Sequence, residues 1–149
     1  MVQKKDYLKE IEKIQKEIEK MNLDYSSIKV IFISLANESK SLLQPLVSAL
    51  LLRKYSIYAT SGTKIFLENN GLEDINLLFK ISETRKTPNF EELINSKKID
   101  LIINIPSPDA NCSETTDGEN IRNLAALTKT PIITDCWLAI HLLLDLINK

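Results

Sequence analysis

The chain has 149 residues, 44% of them apolar and 26% charged, with a formal net charge of −1. These values fit one compact domain with a substantial core, and they exclude an intrinsically disordered chain and a global basic field for nucleic acid or membrane. Two distant cysteines (Cys112, Cys136) and a single histidine make no metal-ligand pattern, and the polar N-terminus and short apolar runs read as a soluble, cytoplasmic protein.

Residues 4–21 place Leu8, Ile11, Ile14, Ile18 and Met21 at spacings of three and four among Glu and Lys, which predicts an amphipathic helix. Such a stripe packs on its own domain, on a neighbouring domain, or in a short coiled coil. Residues 1–27 are therefore read as a helix and linker, and 28–149 as the domain proper. Ile28–Ile33 is nearly continuous apolar sequence, as in a strand covered on both faces. A helical pattern follows from Lys40 to about Arg53, with Pro45 in its first turns, where proline is tolerated. Ser56–Ala59 reads as a strand, and Lys64–Asn70 as a helix that Gly71 can terminate in a left-handed conformation. Next come a strand at Ile75–Ile81, a polar loop with Arg85 and Lys86, a short helix at Asn89–Ser96 and a buried strand at Lys98–Asn104. Residues 105–116 carry two prolines and many small polar side chains, so they read as a loop. A helix at Asp117–Thr128, a strand at Pro131–Thr134 and an apolar helix at Asp135–Asn148 complete the chain, with Trp137 read as core. Regular alternation with helical crossovers predicts an α/β three-layer sandwich, a parallel sheet of about five strands flanked by helices.

In such sheets ligands bind beyond the carboxyl ends of the strands. The stretch Thr60-Ser61-Gly62-Thr63 lies there, between a strand and a helix. The first N–H groups of a helix lack intrahelical partners and carry partial positive charge. Hydroxyls of Thr60, Ser61 and Thr63 add donors, and Gly62 lets a ligand oxygen approach the backbone. Two readings fit this stretch: an anion cradle, or an ordinary Ser/Thr cap with glycine in the turn.

The segments IFIS (31–34), ESK (38–40), YATSGT (58–63), ENNGL (68–72), KIDLIINIP (98–106), GENIRNLA (118–125) and TPIITD (130–135) together resemble the methylglyoxal synthase-like domain. The version that the chain resembles most is the C-terminal allosteric domain of the carbamoyl phosphate synthetase large subunit. That resemblance runs from about Ile28 to Lys149. It implies an effector-binding domain for a small anionic metabolite, either a phosphorylated nucleotide such as UMP or IMP, or N-acetylglutamate. It further implies that Lys40, Thr60, Thr63, Lys80, Asn104 and Ser107 line the effector pocket and that Ile121 gives it apolar contact. No catalytic residue, metal or cofactor is implied, and the partners are the synthetase domains of a parent enzyme, a ligase of arginine or pyrimidine biosynthesis. A parent of the urea-cycle type would place the domain in the mitochondrial matrix. A homo-oligomer is a further partner reading.

Two other functions stay open. Methylglyoxal synthase itself, acting on dihydroxyacetone phosphate, needs a positioned carboxylate and a proton-transfer partner. The enzymes of that name carry aspartates and a His-x-x-Asp where this chain reads SETRKTPN and IPSPDANCSETTD, and Ser107 stands at one aspartate position. A structural or oligomerising domain without ligand is the third reading, carried by the first helix. His141 and Arg122 read as helix-surface or packing residues, with Arg122 also within reach of a ligand phosphate.

Overall fold

The computed structural model describes residues 4–36, 44–51, 55–80, 86–106 and 116–147. Helix α1 spans Lys4–Met21, and a 3-10 turn at Tyr25–Ser27 leads to strand β1, Val30–Leu35. Helix α2 (Gln44–Leu51), strand β2 (Ser56–Ala59), helix α3 (Ser61–Asn69) and strand β3 (Asn76–Leu77) follow. The second half runs α4 (Phe90–Asn95), β4 (Leu101–Ile105), α5 (Thr116–Thr128), β5 (Ile132–Ile133) and α6 (Cys136–Ile147). All five strands are parallel, in the order β3-β2-β1-β4-β5. The α/β sandwich expected from the alternation is thus the observed architecture.

Pleating divides the core in two. Ile31, Ile33 and Leu35 of β1 and Leu101, Ile103 and Ile105 of β4 join α2 and α6 in one buried cluster. Phe32 and Ile102, offset by one residue, face α4 and α5 in the other. This is the period-two geometry of strands buried on both sides. Phe32 and Phe90 meet there with ring centroids 4.8 Å apart and tilted by 54°, a contact worth about 0.5–1.5 kcal/mol beyond its area. Helix α1 packs through Ile14, Ile18 and Met21 on the first cluster. Leu8 and Ile11 of the same stripe remain exposed. Among the described residues, no helix is long and apolar enough to cross a membrane.

Several boundaries differ from the sequence reading. Strand β1 begins two residues later than expected and runs on through Ser34 and Leu35. Of the strand expected at Ile75–Ile81, the described residues form only Asn76–Leu77, and Ile81 lies outside them. Past that point Phe79 leaves β2 and pairs instead with Asn89 in an isolated bridge. Trp137 is not core: 63% of it is exposed. The buried stripe of α6 runs Ala139, Leu142, Leu143 and Leu146, and position 137 falls on the opposite side of a 3.6-residue turn.

Gly71 ends α3 as expected, at φ +100°. Its N–H donates to the Glu68 carbonyl and that of Leu72 to the Leu67 carbonyl, both at 3.1 Å, the Schellman arrangement. The same bond pair closes α4 and α5, but with Lys97 (φ +56°) and Lys129 (φ +58°) in the left-handed position.

Candidate functional site at the carboxyl edge of the sheet

The strand order reverses beside β1: β2 and β3 lie to one side and β4 and β5 to the other. The crevice at such a reversal is where open α/β sheets hold ligands. Ser34 and Asn104 are register partners on β1 and β4 at that point. Each is two residues on from Phe32 or Ile102, so both share the α4/α5 face. A cavity of about 100 Å³ opens above them, lined by Phe32, Ser34, Thr60, Lys80, Phe90, Asn104, Gly118 and Ile121. Four of the expected pocket residues, Thr60, Lys80, Asn104 and Ile121, are therefore brought together from four separate segments.

The other expected residues lie elsewhere. Ser61 and Gly62 are exposed in the first turn of α3 and do not line the cavity. Thr63 is buried behind Thr60. Its Oγ1 accepts the Leu35 N–H at 3.0 Å and the Thr60 hydroxyl at 3.3 Å. It thus fixes the end of β1 against the start of α3, rather than facing the cavity. Lys40 and Ser107 lie outside the described residues.

The start of α3 departs from an ordinary cap. Thr60 occupies the N-cap position in extended conformation (φ −68°, ψ 162°), yet its side chain makes no capping hydrogen bond. The Lys64 N–H donates to the Thr60 carbonyl at 2.8 Å, while the N–H groups ahead of it have no side-chain cap. An uncapped helix start leaves backbone N–H donors and partial positive charge at its end.

Asn104 presents a second unfilled valence. It is only 6% exposed, and its Oδ1 is buried with no hydrogen-bond partner. A buried, unpaired carbonyl oxygen costs about 1–3 kcal/mol, and such exceptions call for a specific explanation.

Lys80 is placed by Asn89, which the sequence reading used only to start a helix. The Asn89 Nδ2 donates to the Lys80 carbonyl at 2.7 Å, and its Oδ1 accepts the Glu91 N–H at 2.9 Å, capping α4. Backbone bonds from Phe79 to the Pro88 carbonyl and from Phe90 to the Phe79 carbonyl, each 2.9 Å, complete the clamp. Ser34, Phe32 and Phe90 were also missed as cavity residues. The alternation along β1, which sets Phe32 and Ser34 on one face, is the signal that finds two of them.

Two wider clefts, of about 650 and 460 Å³, run along α1 and α6. His141 borders both of them, and neither shares a lining residue with the cavity above Ser34 and Asn104. Among the described residues no group of His, Cys, Asp and Glu could hold a metal ion. Burial pushes the Cys136 thiol up, with Asp135 adding to it, so this cysteine is not an activated nucleophile.

The MGS-like domain family model matches residues 42–134. The chain is 34% identical over 104 residues to the carbamoyl phosphate synthase large chain of Synechocystis sp., covering 70% of this chain and 9% of that protein. Against the Nostoc sp. large chain the identity is 36% over 104 residues, with the same coverage of 70% and 9%. For the C-terminal section of the large chain from Methanopyrus kandleri it is 35% over 102 residues, 68% of this chain and 18% of that one. The chain thus spans about a tenth of the length of the full large chains it matches. With its all-parallel five-stranded sheet and the family match over residues 42–134, this chain belongs to the MGS-like domain family.

Proposed function

We propose that the chain is the effector-binding domain of a carbamoyl phosphate synthase and that a small anionic metabolite binds in the cavity at the carboxyl edge of the sheet. The observation that carries this reading is the buried, unpartnered Asn104 Oδ1 beside Thr60 and Lys80. A hydroxyl, a lysine and an orphan carbonyl oxygen around one small space form a receptor for an anionic head group with a hydrogen-bond donor. About 100 Å³ is well below the roughly 300–1,000 Å³ of pockets that enclose a whole drug-sized ligand, so the described cavity takes a head group. None of its described lining residues is a carboxylate or a histidine, which leaves no usual general base and favours binding over turnover. Regulation follows if the metabolite binds the active and inactive arrangements of the synthetase domains unequally.

Thermal-shift measurements with UMP, IMP, N-acetylglutamate, inorganic phosphate and dihydroxyacetone phosphate test the reading. A true effector at a hundred times its dissociation constant stabilises the fold by about 2.7 kcal/mol. Thr60→Ala combined with Lys80→Ala removes the shift. Flat curves with all five compounds, or release of methylglyoxal from dihydroxyacetone phosphate, overturn it.

A further inference from the structure

Of the chain's three glycines, Gly71 alone follows an asparagine, Asn70. An asparagine in that position has a reactivity of its own. The next backbone nitrogen can attack the side-chain amide carbon, because glycine has no Cβ in the way. The turn that ends α3 cannot dispense with this glycine, whose φ of +100° is a conformation that L side chains rarely adopt. The same fold engages each group of the reaction. The Gly71 N–H, the attacking group, donates to the Glu68 carbonyl at 3.1 Å. The Asn70 Nδ2, the leaving group, donates to the Phe66 carbonyl at 2.8 Å. The Asn70 Oδ1 accepts from Gln44 Nε2 at the start of α2. Asn70 is half-buried and Gly71 exposed, so water reaches the pair while both reacting groups are held by other partners.

We infer that Asn70 is a deamidation site that the C-terminal cap of α3 keeps closed. When the last turn of the helix opens, base removes the Gly71 N–H proton and the nitrogen attacks Asn70 Cγ. The Cγ–Nδ2 bond breaks, and ammonia leaves with a proton taken from water. Water then opens the succinimide. Opening at Cγ gives aspartate, and opening at the main-chain carbonyl gives isoaspartate, whose backbone runs through Cβ and Cγ. In sum, one water is consumed, one ammonia is released and nothing is oxidised. Either product unsettles the cap. A carboxylate offers no N–H to the Phe66 carbonyl, and it puts negative charge where the helix already ends in partial negative charge. Isoaspartate lengthens the chain inside the turn that ties Gly71 to Glu68 and Leu72 to Leu67.

Peptide mapping by mass spectrometry tests this on the full chain, held at mildly alkaline pH in buffer and in unfolding urea, with isoaspartate counted apart from aspartate. In urea Asn70 should convert faster than any other asparagine. In buffer it should convert at least tenfold more slowly than in urea, since reaction there waits for local opening. Gln44→Ala should raise the buffer rate at least twofold and leave the urea rate unchanged, an asymmetry that sequence reactivity alone does not produce. Asn70→Asp should melt at a lower temperature than the wild type. Conversion at Asn70 in urea no faster than at other asparagines overturns the site. A buffer rate within twofold of the urea rate, or a Gln44→Ala rate in buffer equal to that of the wild type, overturns the role of the cap. Should Gln44→Ala fail to fold, the ratio of the two wild-type rates decides.

Discussion

At the scale of single residues, Asn104 and Thr63 are two buried polar groups with opposite accounts. Thr63 Oγ1 is occupied by the Leu35 N–H and the Thr60 hydroxyl, whereas Asn104 Oδ1 has no partner. Leucine has nearly the shape of asparagine and needs no hydrogen bond. Asn104→Leu should therefore raise the stability of the unliganded protein by about 1–3 kcal/mol, read from denaturant midpoints, while abolishing the ligand-induced thermal shift. A stability gain coupled to lost binding is the pattern expected where a fold carries cost for function. Unchanged or lowered stability would show that Asn104 is already satisfied. The position was legible in the sequence as the start of a segment at the carboxyl edge of the sheet and again through family resemblance, although KIDLIIN by itself reads as a buried strand with a polar end. Ser34 was missed for the related reason that its small side chain gives no signal until β1 and β4 are in register.

At the scale of elements, helix starts and stops were read well, and a strand end poorly where a distant contact decides. Gly71 announces its left-handed conformation, whereas Lys97 and Lys129 adopt the same one without being glycine; the ends of α4 and α5 were nonetheless read correctly, at Ser96 and Thr128. The strand expected at Ile75–Ile81 stops early because Phe79 and Lys80 are held by the segment around Asn89, a contact no local pattern reveals. Asn89 caps α4 and holds the Lys80 carbonyl at once. Asn89→Ala should thus cost more than a cap alone, about 2–3 kcal/mol against roughly 1 for a typical cap, measured by urea unfolding. It should also weaken ligand binding through the displaced Lys80, with no direct contact to the ligand removed.

At the scale of the whole molecule, the alternation of apolar runs sufficed for the layered fold, and the stripe of α1 for a packed N-terminal helix. How α1 seats was not legible, because only Ile14, Ile18 and Met21 of the stripe join the core. The turn that follows α1 is tied to the far end of the chain by the Tyr25 hydroxyl, which donates to Asp145 Oδ2 at 2.7 Å. Burial, then the hydrogen bond and negative charge of Asp145, then Glu19, push the Tyr25 phenol up from 10.0 to about 12. A phenol whose folded pKa is raised stabilises the fold fully below its unfolded value, and that contribution is lost as pH rises toward the folded one. Melting temperature should therefore fall between about pH 10 and 12 with a component that Tyr25→Phe removes. An identical alkaline slope in the two proteins would refute the link.

The division of the sheet into two cores has a mechanical corollary. Phe32 and Ser34 border the cavity, while Ile31, Ile33 and Leu35, their immediate chain neighbours, are locked among α2 and α6 on the reverse side. A peptide plane that tilts to admit a guest on one surface must tilt the adjoining side chains on the other. On the proposed reading, a metabolite held above the strands would reach the α2 and α6 side of the domain through β1 itself.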